Sequence, residues 1–490
     1  MSLSIRKLLE KEVVIESAGI TLLLMIVERV IGTLRGIIFA RLLGPSEYGV
    51  FNLAFFFVPL IVALGRLGIP SSYTRYAPQY EIKGMLGDFL RKTYFLTVVI
   101  SVFFTIISLI FSRQISALIY KTAEYNFIIM LCALTIIPSV MYENITASFN
   151  GIRVFKMSSL LRFSQLICFT VIGIVFVILY PKAESAISAN LMSSVLVLPV
   201  FGFIVWKYIL NSDSQNIKIQ EDNFYSKIFK FSIWFTFLPI IDTLFNYTGR
   251  LVLNRFLGLE EVGIYSMAIN IANILFMFGA IANNVLAPNL SHRWEMGERN
   301  KVVSHVNLSI KINIVFLMFI AVTLSLFKEQ FVSILYGQAY IKSISVLNIM
   351  MIFSIFSSIT LNLGVFPWLI EKPYIFIVNN VLGLGINLIL SYILIPHYHM
   401  QGAAIANTIS IFVNIVLMNI WLYIFKFKIK AATVFLCIIP ICLLLDNMLM
   451  SIVFFFLIAS ILFTDLIFDK NEKNIFLKNF KKALSRYRKS

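Results

Sequence analysis

Charge is scarce in this sequence. Only 13% of the 490 residues are Asp, Glu, Lys or Arg, against 59% hydrophobic, and the mean hydropathy is +0.88. No soluble domain of this length can bury so much apolar surface, whereas a chain that crosses a bilayer many times leaves much of it facing lipid. Cysteine is scarce too. Cys132, Cys168, Cys437 and Cys442 lie in apolar segments without metal-ligand spacing, so they imply no disulfide framework and no metal. The four histidines form no zinc-binding pattern, and His397 and His399 follow Pro396 in a loop. Neither a cofactor nor a catalytic residue is expected. Long polar loops are missing as well. None exceeds roughly 20 residues, and a folded domain outside the membrane needs at least about 50. Acidic residues are outnumbered, 24 to 41, which gives a net charge of +17. The excess falls in short loops and at both termini, the pattern of a cytoplasmic membrane face rather than of a nucleic-acid partner.

What is present is a series of apolar segments about 20 residues long. They run near 14–40, 49–74, 91–111, 125–149, 157–180 and 186–209, then near 227–254, 262–287, 305–327, 343–370, 374–395, 402–425, 431–446 and 448–468. This is an all-α polytopic membrane protein of about fourteen transmembrane helices. The first segment is too long and too charged for a cleavable signal peptide despite Arg6, Lys7 and Lys11 before it, so it stays as a membrane helix. Lys83, Arg91, Lys92, Arg153, Lys156, Arg162, Lys227, Lys230 and the tail fall in alternate loops, which places both termini in the cytoplasm of a cell (plasma or inner) membrane.

The chain also repeats itself. Arg41-Leu42-Leu43-Gly44-Pro45-Ser46-Glu47-Tyr48-Gly49 is echoed as Arg255-Phe256-Leu257-Gly258-Leu259-Glu260-Glu261-Val262-Gly263, and Tyr120 recurs as Tyr336 and Ala189-Asn190 as Ala406-Asn407. A steady offset is what one duplicated unit gives, and a unit of six helices enters the membrane in the same direction twice. The expected organisation is a six-helix lobe over 1–210, a polar cytoplasmic linker over 211–224, a second six-helix lobe over 225–426, an extra helix pair over 427–468 and a basic tail over 469–490.

Several charges fall inside apolar segments, where they cost roughly 2.5–3.5 kcal/mol each if they face lipid. On the first helix Thr21, Glu28, Gly32 and Arg35 share a stripe, with Arg29 a quarter turn away, and Arg66 sits mid-span between Gly65 and Pro70. The fourth segment adds Glu143, and the seventh adds Asp242, Asn246, Arg250 and Asn254 at intervals of four. Two readings stand for these groups: pairs that neutralise one another and set helix packing, or groups that line a wet cavity. Arg41, Gly44, Glu47 and Gly49, with Arg255 and Glu261, flank tight turns and read as a structural loop clamp. In the interior Arg29, Arg35, Arg66 and Arg250 outnumber Glu28, Glu143 and Asp242, and the forked guanidinium suits phosphate or carboxylate. The cargo is therefore expected to be anionic. The three carboxylates are the candidates for ion coupling.

The stretch Arg41-Leu-Leu-Gly-Pro-Ser-Glu-Tyr-Gly-Val-Phe-Asn-Leu-Ala, followed by Leu64-Gly-Arg-Leu-Gly-Ile-Pro and Arg75-Tyr-Ala-Pro, resembles the first two helices of the polysaccharide transporter family, the Wzx-type flippases of the multidrug/oligosaccharidyl-lipid/polysaccharide (MOP) superfamily. The span count, the two lobes and the charged first helix resemble that family along almost the whole chain. The resemblance implies a V-shaped pair of lobes. It also implies movement of a polyprenyl-pyrophosphate-linked oligosaccharide, a repeat unit of a surface polysaccharide such as O-antigen or exopolysaccharide, from the cytoplasmic to the outer leaflet. Cavity arginines that engage the pyrophosphate would match Arg29, Arg35 and Arg66, with Arg250 more loosely placed. Leu259 stands where the first loop has Pro45, a departure from equivalence between the two loops. Other polysaccharide-assembly membrane proteins are the expected partners. The rival within the superfamily, a multidrug or cation exporter, needs a net acidic cavity. A membrane glycan polymerase or ligase needs a large outward loop bearing catalytic groups.

Overall fold

The structure is a computed structural model that describes residues 14–212, 219, 223–427, 429–469 and 472–473. Most of the expected linker, most of the basic tail and the side chain of Thr21 lie outside the described residues.

Helices account for nearly all of it, and there is no strand among the described residues. In order they are α1 (Val14–Arg66), α2 (Pro70–Ile82), α3 (Leu86–Ile110), α4 (Ser112–Tyr120), α5 (Asn126–Leu134), α6 (Ile136–Gly151), α7 (Phe155–Leu179), α8 (Ala183–Ser212) and α9 (Phe224–Ser232). Then come α10 (Trp234–Phe256), α11 (Leu259–Glu295), α12 (Arg299–Leu326), α13 (Lys328–Leu335), α14 (Ile344–Leu363), α15 (Val365–Leu369), α16 (Tyr374–Ile424), α17 (Ala431–Leu436) and α18 (Asn447–Phe463).

Ten stretches among the described residues are long and apolar enough to cross a membrane. Two of them hold two crossings each. Leu24–Ile82, at 59 residues, bends at Gly44 (φ 73°, ψ 169°), and Tyr374–Ile424, at 51 residues, bends at His399 (φ 53°, ψ −131°). Neither conformation is helical, so each marks a reversal at the membrane edge. Two shorter apolar stretches, Ala431–Leu444 and Asn447–Ile461, complete fourteen.

The helices invert the soluble pattern. In α3 the hydroxyl residues Thr93, Thr97, Ser101, Thr105 and Ser108 are all buried, while Phe95, Val99, Phe103, Ile106 and Ile110 are exposed. With lipid as apolar as Leu, small side chains let backbones approach, and their hydroxyls return to carbonyls of their own helix, as Thr97 does to Thr93 and Thr105 to Ser101.

The chain forms two compact units. One comprises the residues up to Ser266 together with Leu335–Tyr340; the other comprises Met267–Ile334 and everything from Ile341 onward. The first has an aromatic core of Tyr73, Tyr76, Tyr80, Phe89, Phe149 and Phe224 at the ends of α2, α3, α6 and α9. The second is held by buried amides, among them Asn379 donating to the Asn414 carbonyl and Asn387 to the Asn407 side chain.

In that second unit one ion pair is fully enclosed. Lys311 of α12, with no exposed side-chain surface, donates to Glu472 Oε2 at 2.9 Å and to the Ile467 carbonyl at 2.6 Å. Lys430 reaches the other oxygen of Glu472 at 2.8 Å and also pairs with Asp469. Burial works against a charged Glu472, yet hydrogen bonds from Lys311 and Lys430 hold its carboxyl below the ordinary range, and the bond from Lys430 does the same for Asp469.

Candidate functional site

Within the first unit, α1, α6, α7 and α8, with Pro239 of α10, surround a cavity of about 470 Å³. Helical spacing explains who faces it. Glu28 and Arg35 lie seven residues apart on the first half of α1, while Phe55, Pro59, Val62 and Arg66 recur every three or four on the second half. The apolar wall is thus continuous with a charged end.

Two ion pairs cross the space. Arg66 Nη1 lies 3.1 Å from Glu143 Oε2 of α6, and Arg162 Nε of α7 lies 3.6 Å from Glu28 Oε1. Arg35 behaves differently. Its guanidinium stacks 4.1 Å above the Phe169 ring, and its Nη1 is 3.5 Å from Thr170 Oγ1, a long contact. No ion pair to Arg35 occurs among the described residues. Three guanidiniums therefore face two carboxylates, and the lining carries one net positive charge. Gln165, one turn beyond Arg162, donates to Ser193 and Ser194 at 3.0 and 2.9 Å and adds a polar shelf beside Asn190.

The structure thus brings Glu28, Arg35, Arg66 and Glu143 to one cavity. It places the other residues elsewhere. Arg29 is exposed beside Glu28 and is not among the lining residues. Arg250 is buried and donates from Nε to Ser266 Oγ at 3.0 Å and from Nη1 to the Asn246 carbonyl at 3.2 Å, with its guanidinium 4.5 Å above the Tyr247 ring. Asp242 is exposed on α10 and accepts from Asn246 at 3.1 Å. In the sequence Arg162 reads as one of the loop charges that mark topology, because it lies near the start of its apolar segment. Its position is two turns inside α7, and the signal that finds it is Gln165 three residues on, a second long polar side chain on the same face.

The repeated loops have a different job. Glu47 Oε2 accepts the N–H of Ala183 at 2.9 Å and so satisfies a free donor at the start of α8. Gly49 and Gly263 pack backbone to backbone: a Cβ built on Gly49 would lie 2.0 Å from the Leu259 carbonyl oxygen, and one on Gly263 would lie 1.8 Å from that of Pro45. Arg41 and Arg255 are exposed, and Glu261 is half-buried.

Comparison with known proteins places this architecture. A family model described as polysaccharide biosynthesis protein matches residues 38–345, well over half the chain. A putative O-antigen transporter of Shigella flexneri is 24% identical over 399 residues, covering 78% of this chain and 91% of that protein. The solved structure of the lipid II flippase MurJ in an inward closed conformation superposes with a TM-score of 0.69 at 17% identity, covering 91% of this chain and 99% of that one. An inward-facing multidrug resistance MATE family transporter of the MOP superfamily gives 0.62 at 14%, covering 81% and 95%. The chain of fourteen crossings therefore has the fold of these transporter structures. This multi-pass membrane protein belongs to the polysaccharide biosynthesis protein family.

Proposed function

We propose that the chain carries a polyprenyl-pyrophosphate-linked oligosaccharide from the cytoplasmic to the outer leaflet of a plasma or inner membrane, with both termini in the cytoplasm. The observation that carries this reading is the excess of guanidinium over carboxylate in the cavity of the first unit, with Arg35 left without an acidic partner among the described residues. A cavity of about 470 Å³ falls within the roughly 300–1,000 Å³ usual for ligand sites. It suits a phosphorylated headgroup, while the polyprenyl tail stays among the helices in lipid. Arg35 takes the first phosphate. Arg66 and Arg162 turn from Glu143 and Glu28 to the second, which frees those carboxylates to take up protons or a cation. Arg29, exposed beside the cavity, and Arg250, turned onto Ser266, meet the cargo before and after this stage, and Asp242 is the third candidate for ion coupling. The lobes over 1–210 and 225–426 then alternate access around the bound headgroup.

The test is leaflet exchange in proteoliposomes, followed for a polyprenyl-pyrophosphate oligosaccharide beside efflux of a cationic dye. Glycan exchange is expected and dye efflux is not; dye efflux without glycan exchange overturns the reading. A hydrogen bond to a charged group contributes ~1.5–3 kcal/mol, so Arg35→Ala and Arg66→Ala should each slow exchange about 10- to 100-fold. Abundance should hold, because the carboxylate that Arg66→Ala leaves behind is 42% exposed and water can reach it. If both variants vanish from the membrane, these arginines are structural.

A further inference from the structure

The two copies of the repeated loop meet, and they meet reciprocally. Asn254, the counterpart of Ala40 in the second copy, donates its side-chain amide to the Ile119 carbonyl at 2.7 Å. Tyr340, four residues after the counterpart of Tyr120, donates its hydroxyl to the Ala40 carbonyl at 2.7 Å. Each acceptor lies in a last helical turn: Ile119 is the penultimate residue of α4, and Ala40 precedes the bend at Gly44. Such carbonyls lack a partner within their own helix. Between the two hydrogen bonds lies the close approach of Gly49 and Gly263, and Tyr48 packs edge-on against Tyr340 at 6.3 Å. Leu335–Tyr340 and the start of α11 therefore belong to the first compact unit although the rest of α11 and all of α13 before Leu335 belong to the second.

This seam caps one end of the cavity. On α1 the lining ends at Arg35 before the bend, five residues short of Ala40, and starts again at Phe55, six beyond Gly49. At 1.5 Å per residue, the seam lies roughly 8–9 Å beyond the lining. The facing glycines have no side chains to disentangle, and Asn254 and Tyr340 each cross the seam through a single neutral hydrogen bond. Removing either bond therefore weakens the closed seam.

We infer that Asn254 and Tyr340 are positioning residues of the transport cycle, which hold shut a seam that must part on every turn to let cargo leave the cavity. The inference rests on the alternating-access reading above, and the cytoplasmic termini put the seam on the outer side.

The test reads conformation, not transport. A single cysteine at cavity residue Ser139 (Ser139→Cys, with Cys132, Cys168, Cys437 and Cys442 replaced by serine or alanine) is labelled by a membrane-impermeant maleimide added to one face of the membrane at a time. Asn254→Ala and Tyr340→Phe should each raise the labelling rate from the outer face roughly 3- to 15-fold, the range for one interhelical hydrogen bond in a membrane. Unchanged rates in both variants at normal abundance overturn the inference. A rise from the cytoplasmic face alone keeps the seam and overturns the proposed orientation. Because no glycan is present, failure of the substrate reading leaves this result untouched. If the variants do not fold, hydrogen exchange on the wild-type chain decides: amides of residues 45–50 and 254–263 should open together as one cooperative group, and unrelated opening rates refute the seam.

Discussion

Gly263→Ala will not accumulate as folded protein, and Gly49→Ala will fare no better. The added Cβ at 263 meets the Pro45 carbonyl oxygen at 1.8 Å and the Gly49 nitrogen at 3.0 Å; the one at 49 meets Leu259 oxygen at 2.0 Å. Real Cβ contacts do not close below about 3 Å, and the atoms in the way are main chain on helices that cannot turn aside as a rotamer would. Overpacking a tight site costs about 1–3 kcal/mol where side chains can yield. Here the helices must part and stretch the hydrogen bonds from Asn254 and Tyr340, so the cost sits at or above the top of that range. Against a total stability of about 5–15 kcal/mol this is a large fraction. Gly44→Ala is the contrast: nothing lies within 4 Å of its Cβ, and only the positive φ is strained, a cost of about 1–2 kcal/mol. Size-exclusion profiles of detergent extracts should show the order wild type, Gly44→Ala, then Gly49→Ala and Gly263→Ala near background. A Gly263→Ala variant with wild-type abundance, melting temperature and outer-face labelling at position 139 would disprove the backbone contact.

The second large effect lies at Glu472. Glu472→Gln removes the negative charge from an ammonium with no exposed side-chain surface, and stranding one member of a buried pair costs about 3–5 kcal/mol. Lys311→Met with Glu472→Leu, which removes both charges, should recover most of the loss, since apolar replacement of a whole pair is often neutral. Thermal melts of wild type and the two variants make the comparison, and a double variant no more stable than Glu472→Gln rules out the pair as the cause. The acid response has a fixed sign. Glu472 and Asp469 are both held below their ordinary values, so their contribution is complete above about pH 4.5 and fades as pH falls through the lowered values. Proteolysis at the C-terminal segment should be flat from pH 8 to 5 and rise only in stronger acid.

The number and order of crossings were legible because lipid demands long apolar stretches and because loop charges alternate. The bends at Gly44 and His399 fall where Gly-Pro and Pro-His interrupt the runs, so these boundaries were legible too. Legibility fell within the helices, where every face is apolar enough to be ambiguous. Spacing put Glu28 and Arg35 on one stripe, and both line the cavity. The same argument set Arg250 beside them, and its guanidinium turns instead to Ser266, a partner on another helix that no local pattern announces. Lys311 was hidden for the opposite reason. A lone lysine in an apolar run has meaning only beside Glu472, 161 positions away, and distance in the chain conceals such a partner. By sequence the glycines signal backbone freedom, which holds at Gly44. At Gly49 and Gly263 what matters is the missing side chain, a fact about a neighbour rather than about the loop.

Ribosomal synthesis gives the seam one more consequence. The Ile119 carbonyl waits for a donor made 135 residues later, and the Ala40 carbonyl for one made 300 residues later. Until then the nascent first half holds unfilled acceptors in a solvent without water, which favours retention beside the insertion machinery over early release. Severed between residues 212 and 223, the two fragments should persist only when made in the same cell.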